Sequence, residues 1–201
     1  MKTIDYYNIS DSENLRLYIL EHTLVIEEMI CNAIGRILNI DWEKSKSFGF
    51  SSVSLSFNQK VTIIQDLKDV TSEEIKKFGY LMNIRNKFAH VRTVDTWESF
   101  FSVAGNGKEI RGSFNKWYKD KLSSNLIEDE LINKFYFKNL CADLIFSLDN
   151  IILKSALDRL NEKTDQHLFL IQYLELMSAM QKMPNGKQII QGLETKLGRK
   201  F

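Results

Sequence analysis

The chain has 201 residues, of which 44% are hydrophobic and 26% charged, and its formal net charge at pH 7 is +1. A chain of this size can bury a full hydrophobic core without disulfides or a structural metal. The near-neutral balance excludes a strong field over the whole protein, so any site for nucleic acid has to be a local basic patch.

The two cysteines, Cys31 and Cys141, lie in apolar helical contexts and are expected to be buried free thiols. The start MKTIDYYNIS has neither the basic nor the apolar region of a signal peptide. No apolar run approaches the ~20 residues that span a bilayer, and no CxxC or Cys/His cluster indicates zinc. We therefore expect a cytoplasmic protein that uses no metal and no other cofactor.

Helical periodicity dominates the sequence. One proline, Pro184, and nine glycines are too few for a fold of strands and turns. The first helix is predicted near 12–40, with Asp11 or Ser12 as its N-cap. Residues 41–56 are rich in serine and glycine in the stretch SKSFGFSSVSLS, which predicts a connector.

Two helices are predicted before the most informative stretch of the chain. The first spans 57–69 and directs three apolar side chains inward: Val61, Ile64 and Leu67. Thr71 and Glu74 then have the spacing of a capping box, which marks a helix start. This spacing predicts a third helix over 72–91.

Residues 93–125 carry a weaker pattern. TWESFFSV predicts a short helix, GNGKEIRG predicts a turn or loop, and SFNKWYKDKL predicts a return to helix. A long helix is then predicted over 127–162. An apolar residue recurs there every fourth position from Leu140 to Leu160, a row that drifts by about 40° per step. That helix is therefore expected to be covered on more than one side.

A separate helix is predicted from Asp165 to Met183, ended by PNG at 184–186, and a short tail helix follows. Together these elements predict an all-α fold, an antiparallel bundle of four or five core helices with additional C-terminal helices. We expect residues 1–163 to form the bundle. Residues 164–201 are expected to form an extension that packs on the same domain.

The segment IRNKFAH, residues 84–90, combines a core stripe with polar residues. At about 100° per residue, four apolar side chains fall within ~80° of one another: Leu81, Ile84, Phe88 and Val91. Asn86 and His90 are four residues apart and share the roughly opposite face. Arg85 lies about 140° from His90. The two are expected to converge only if a second surface closes over them or the helix frays.

This segment resembles the R-x4-6-H motif of HEPN domains, which usually carry a polar residue directly after the arginine. The upstream pattern Ser56-Phe57-x-x-Lys60 is similar to the mannitol-repressor-like branch of that group. The likeness extends from about Leu20 to about His90. From residue 93 onward, only the expectation of long helices agrees.

The resemblance implies a helical bundle that commonly dimerises, with the motif residues of both protomers facing one cleft. In active members it implies metal-independent RNA cleavage, and by position Arg85, Asn86 and His90 match the catalytic motif. Some members are not nucleases, and the similar branch includes regulators and binding modules. A defence or toxin–antitoxin setting, with an antitoxin or regulatory protein as partner, is implied by the family alone.

The residue types suit that chemistry. Histidine can transfer protons near neutral pH, arginine grips phosphate oxygens through two donors, and asparagine can orient either group. A two-fold dimer would bring two motif histidines to one cleft. The competing interpretation is structural, because an exposed Asn-x-x-x-His pair can simply be solvated and an arginine can lie along apolar surface.

Weaker candidates remain. Residues 108–121 carry five basic and two acidic residues, a local charge of +3. Aromatic and basic side chains could bind unpaired RNA, and the candidates are Lys87, Arg92, Lys116, Trp117 and Lys119. The alternative is an ordinary helix with an aromatic inner face.

Glu27 or Glu28 could orient His90, pair with Arg85, or lie on the surface. His22 and His167 each stand alone on an amphipathic helix and are expected to be structural.

Overall fold

The computed structural model describes residues 12–49, 53–122 and 128–182. No strand occurs in these ranges, and six α-helices follow one another: α1 Leu15–Leu38, α2 Phe57–Gln65, α3 Ser72–His90, α4 Trp97–Val103, α5 Gly107–Tyr118 and α6 Asp129–Gln181. The all-α fold expected from the sequence is confirmed. Within the described ranges, no helix combines the length and the apolar character that crossing a membrane requires.

Helix α1 begins later than the sequence suggested. The side chain of Asn14 caps it by accepting a hydrogen bond from the backbone N–H of Leu17 at 3.0 Å. Ser12 instead accepts a hydrogen bond from the Asn14 backbone at 3.2 Å, outside the helix. The predicted cap at Ser12 is therefore wrong, and the alternative at Asp11 lies outside the described residues.

Helix α3 begins where its capping box predicted. The Glu74 backbone donates to the Thr71 hydroxyl at 3.2 Å, and the Thr71 backbone donates to the Glu74 carboxylate at 2.8 Å. Helix α2 ends at Gln65, earlier than predicted. The Gln65 side chain donates to the Ile75 carbonyl at 2.9 Å. The end of α2 therefore meets the start of α3, and the two helices run antiparallel.

The turn predicted at GNGKEIRG is confined to Gly105 and Asn106, because the rest of the segment opens α5. Gly107 is the first residue of the helix, at a place where a Cβ atom would overlap the carbonyl of Phe101. Gly112 lies inside the helix, where glycine costs about 1 kcal/mol relative to alanine. Tertiary burial outweighs that cost, since three side chains of α5 are buried: Ile110, Phe114 and Tyr118.

The predicted break between two C-terminal helices is also wrong, because α6 is continuous. Its sequence contains neither glycine nor proline. The hydroxyl of Thr164, next to the expected helix start at Asp165, donates to the Leu160 carbonyl at 2.9 Å. It therefore bonds within the helix instead of capping a new one. The predicted stop at 184–186 and the tail helix lie outside the described residues.

The chain divides into two compact units, Met1–Lys154 and Ser155–Phe201. In the first unit, α1, α2 and α3 pack on one another, and α4 packs on α3 and α5. An aromatic cluster joins α3, α4 and α6, with ring centroids 5.7 Å apart for Phe88 and Trp97 and 5.8 Å apart for Trp97 and Phe137. Helix α3, which carries the motif, therefore packs against the centre of the hydrophobic core through Phe88.

In the second unit, residues 155–182 are described and belong to α6 apart from Lys182. Large apolar side chains are exposed there: Leu157, Leu160, Leu168, Phe169, Leu170, Ile171, Leu174 and Leu176. The predicted row of apolar residues is buried at Leu140, Leu144 and Leu148 but not at Leu160, so its expected coverage holds only for the first part. The packing of residues 164–201 on the bundle stays a prediction.

We expect Phe88→Ala to lower the free energy of unfolding by about 3–5 kcal/mol, the usual cost of truncating a buried phenylalanine. Phe88 is fully buried against Trp97 and Phe100. The matched control is Phe146→Ala on α6, because the Phe146 side chain is 68% exposed. Urea denaturation measures both variants, and equal losses would contradict the assigned core.

The burial of His22 predicts that the stability depends on pH. Its side chain is buried, which lowers its pKa below the usual 6.5, although a contact with the Tyr18 carbonyl at 2.8 Å acts in the opposite direction. Below the usual pKa the unfolded chain takes up a proton that the folded chain resists, so stability is present above that pH and falls as the solution is acidified.

We therefore expect the free energy of unfolding to fall between about pH 7 and about pH 5 more steeply in the wild type than in His22→Phe. Phenylalanine keeps a ring next to Tyr18 and Phe137, with which His22 makes ring contacts, and removes the proton site. Urea denaturation at a series of pH values tests this. Parallel curves for the two proteins would show that His22 does not contribute.

Candidate functional site

The motif lies at the C-terminal end of α3. Leu81, Ile84 and Phe88 are fully buried, as the predicted core stripe requires, while Val91 follows the helix and is half-buried. Arg85 and Asn86 are half-buried and His90, the last residue of the helix, is exposed. Burial of the stripe therefore fixes which side of α3 carries the polar residues.

The turn after His90 is held by an arginine of α1. The Arg16 guanidinium donates to the carbonyls of Val91, Arg92 and Val94 at 3.0, 3.0 and 2.7 Å. Carbonyls beyond a helix C-terminus have no partner within the helix, and a cation satisfies both their hydrogen bonding and the helix dipole. Because Arg16 lies near the start of α1, this contact also shows that α1 and α3 run antiparallel.

Arg85 and His90 meet within one chain. The Arg85 Nη1 atom lies 3.4 Å from His90 Nε2 and donates to Asn86 Oδ1 at 3.2 Å. Their convergence therefore needs no second protomer, and a second surface is present in the form of α2, whose Phe57 lies against Arg85. The helical wheel gives the direction in which each side chain leaves the backbone, whereas the long arginine side chain turns along the helix surface towards the histidine.

Helix α2 supplies the other wall of the site. The Arg85 guanidinium lies 5.6 Å from the Phe57 ring centroid, and Asn86 Nδ2 donates to Asn58 Oδ1 at 3.3 Å. Together the two helices enclose an open cavity of about 540 Å³, lined by Ser56, Phe57, Asn58, Arg85, Asn86, Lys87, His90 and Val91. The predicted residues Arg85, Asn86, His90 and Lys87 therefore share one pocket.

Sequence reasoning missed Asn58. The sequence pattern contains the neighbouring Ser56, Phe57 and Lys60 but predicts no contact between α2 and the motif. Periodicity describes one helix at a time, so a contact between residues 58 and 86 needs the tertiary structure.

The lining of this pocket suits an anion. It contains the permanent cation Arg85, the cation Lys87, the titratable His90 and two amides, and no carboxylate. Guanidinium and amide donors are the groups that bind phosphate oxygens. A carboxylate that would neutralise these cations or repel a phosphate is absent from the lining.

The other predicted RNA-binding residues do not line this pocket. Trp117 is half-buried and packs against Tyr80, with ring centroids 5.7 Å apart, under the Lys77 ammonium at 5.1 Å. Lys119 lines a different cavity of about 560 Å³ between α5 and the start of α6. Arg92 and Lys116 are exposed. An inner aromatic face therefore accounts for Trp117, and a role of this group in RNA binding stays a prediction.

Several alternatives from the sequence are settled by contacts. Glu27, one of the acidic candidates for contact with Arg85 or His90, pairs with the buried Lys60 at 2.9 Å. Cys31 and Cys141 are buried free thiols, as predicted. Burial raises the pKa of the Cys141 thiol. In the part of the chain that the structure describes, no group of three or more His, Cys, Asp and Glu side chains could hold a metal ion.

Comparison of the chain with protein-family models, curated proteins and solved structures finds no match in any of the three. The resemblance to HEPN domains therefore depends on the motif residues and on the upstream pattern Ser56-Phe57-x-x-Lys60. What that resemblance implies for activity and partners is carried forward as a proposal.

Proposed function

We propose that this protein is a HEPN-type, metal-independent endoribonuclease or RNA-binding domain that acts through the pocket between α2 and α3. The observation that supports this is the lining of the pocket, which gathers Arg85, Lys87 and His90 with two amides and contains no carboxylate. A phosphodiester is an anion that such donors bind, and RNA adds the 2′-hydroxyl that can attack its own phosphate.

Each motif residue has a role in that reaction. Arg85 binds the phosphate and stabilises the charge that develops on the pentacoordinate phosphorus. His90 transfers a proton, either from the attacking 2′-hydroxyl or to the departing 5′-oxygen. Asn86 orients Arg85. The P–O5′ bond breaks as the 2′-oxygen bonds to phosphorus, so the products are a 2′,3′-cyclic phosphate and a free 5′-hydroxyl.

One contact favours the second candidate, a non-catalytic regulatory or binding module. His90 Nε2 lies 3.4 Å from Arg85 Nη1. A guanidinium can only donate, so this contact occupies the lone pair that proton transfer from a hydroxyl would use. Catalysis then requires the bound phosphate to draw Arg85 away from His90, whereas binding of an anion, nucleic acid or protein carboxylate does not.

An RNA cleavage assay in the presence of EDTA tests the proposed roles of Arg85 and His90. We expect the wild type to cleave single-stranded RNA and to leave 2′,3′-cyclic phosphate ends. His90→Ala removes the proton-transfer contribution, typically ~10²–10⁴-fold in rate. Arg85→Ala removes charge stabilisation of roughly 10²–10³-fold, by analogy with the loss of one oxyanion donor. Gel or mass analysis of the products measures both.

The matched control is His167→Ala, which removes an exposed histidine of the second unit and should leave cleavage unchanged. Thermal melting shows whether the variants stay folded, as neither Arg85 nor His90 belongs to the buried stripe. A wild type inert towards varied RNAs, or a fully active His90→Ala, rules out the nuclease. RNA binding that is lost in Arg85→Ala without any cleavage establishes the binding module.

We also propose a homodimer whose interface includes the outward face of α3, around Asn86 and His90. His90 is the one histidine that lines the pocket, while RNA cleavage uses a base and an acid, and a two-fold axis would supply the second. In a defence or toxin–antitoxin setting, an antitoxin or regulatory protein would be a further partner.

Analytical ultracentrifugation at tens of micromolar should therefore show a dimer. A wild type that sediments as a monomer counts against the shared cleft and leaves the binding module in place.

A further inference from the structure

The start of α2 contributes a polar side chain to the pocket that the motif does not include. Asn58 is exposed and is the second residue of α2. Its Oδ1 atom accepts a hydrogen bond from Asn86 Nδ2 at 3.3 Å. It is separated from Asn86 by 28 positions in the sequence. The contact therefore joins two helices across the pocket.

The orientation of both amides follows from Arg85. A guanidinium has donors and no acceptor, so the contact of 3.2 Å between Arg85 and Asn86 requires Asn86 to present its oxygen. The amide nitrogen of Asn86 is then directed to Asn58, and Asn58 in turn has to present its oxygen. The chemistry of Arg85 thus determines the orientation of both amides.

The chain of contacts ends at the histidine. From Asn58 Oδ1 it runs to the amide of Asn86, on to Arg85 Nη1, and from there to His90 Nε2. Without Asn58, the amide of Asn86 can rotate about its terminal torsion, which is broad, and present its nitrogen to Arg85. That orientation places two donors against each other, so Arg85 loses a fixed acceptor.

Asn58 is itself held on a rigid element. Ser56 and Gln59 form a capping box at the start of α2, with the Ser56 backbone donating to Gln59 Oε1 at 2.9 Å. Two residues after Asn58, the buried Lys60 ammonium pairs with Glu27 of α1 at 2.9 Å. Asn58 therefore lies between a capping box that fixes the start of α2 and an ion pair that joins this helix to α1.

We propose that Asn58 is a positioning residue that fixes the amide of Asn86, and through it the guanidinium of Arg85, for the phosphate of the RNA. This inference rests on the proposed nuclease function. Asn58 acts through Asn86 and Arg85 and is not assigned a proton transfer.

Asn58→Ala tests the proposal by steady-state cleavage kinetics and by NMR of the ¹⁵N-labelled protein. Partners that orient a catalytic or ligating group typically contribute roughly 10–100-fold to activity. We expect kcat to fall by about that factor with a much smaller change in KM. The side-chain NH2 signals of Asn86 should shift as well.

Asn58→Asp keeps an oxygen acceptor for Asn86 and should recover part of kcat relative to Asn58→Ala, with a higher KM because its carboxylate repels phosphate. The matched control is Asn150→Ala, since Asn150 is an exposed asparagine on α6 of the same unit. It should change neither kcat nor the Asn86 signals.

An active wild type, together with an Asn58→Ala variant of unchanged kcat and unchanged Asn86 signals, overturns the positioning role and leaves the nuclease standing. An Asn58→Asp variant no better than Asn58→Ala also counts against it, because the acceptor would then not be what matters. A wild type that is inert overturns the proposed function itself, and the role of Asn58 in cleavage with it.

Discussion

The site depends on the ion pair between Lys60 and Glu27, because it anchors α2, one wall of the pocket, to α1. The Lys60 side chain is 3% exposed, so its ammonium is almost removed from water. Burial alone would lower its pKa, but the contacts with Glu27 and Cys31 outweigh burial and raise it. The charge is therefore kept, and loss of Glu27 would leave an unpaired buried cation, which is a strongly destabilising change. Phe57 and Asn58, which face Arg85 and Asn86, lie on α2 with Lys60.

Helix α1 also anchors α3, the other wall of the pocket. Arg16 binds the carbonyls that follow His90, while the opposite face of the motif helix is packed through Phe88 into the aromatic cluster with Trp97. The two walls are thus anchored by different interactions, a buried ion pair for α2 and a carbonyl clamp plus aromatic packing for α3. Both polar anchors start from α1, and the contacts of Phe57 and Asn58 with Arg85 and Asn86 also join the two walls directly.

The sequence predicts those features that depend on one segment. The capping box of Thr71 and Glu74 and the stripe through Phe88 place α3 and its polar face correctly, because both are local patterns. Features that depend on tertiary contacts were not accessible. Burial of Ile110 and Phe114 overrides the glycines of α5, and Thr164 bonds within α6 although its position suggested a new helix. A helical wheel carries no side-chain length, so it does not predict the contact of Arg85 with His90. The role of Asn58 is not predicted because its partner, Asn86, lies on another helix.

The two thiols have a practical consequence for chemical labelling. Cys31 and Cys141 are the only cysteines of the chain, and both are buried. Burial raises the pKa of each, although at Cys31 the neighbouring Lys60 acts in the opposite direction. Thiol reagents attack the thiolate, so neither side chain is a ready target in the folded protein. A cysteine introduced at an exposed position such as Phe146 would be the one reactive thiol, and a fluorophore or spin label could be attached there without first removing the native residues.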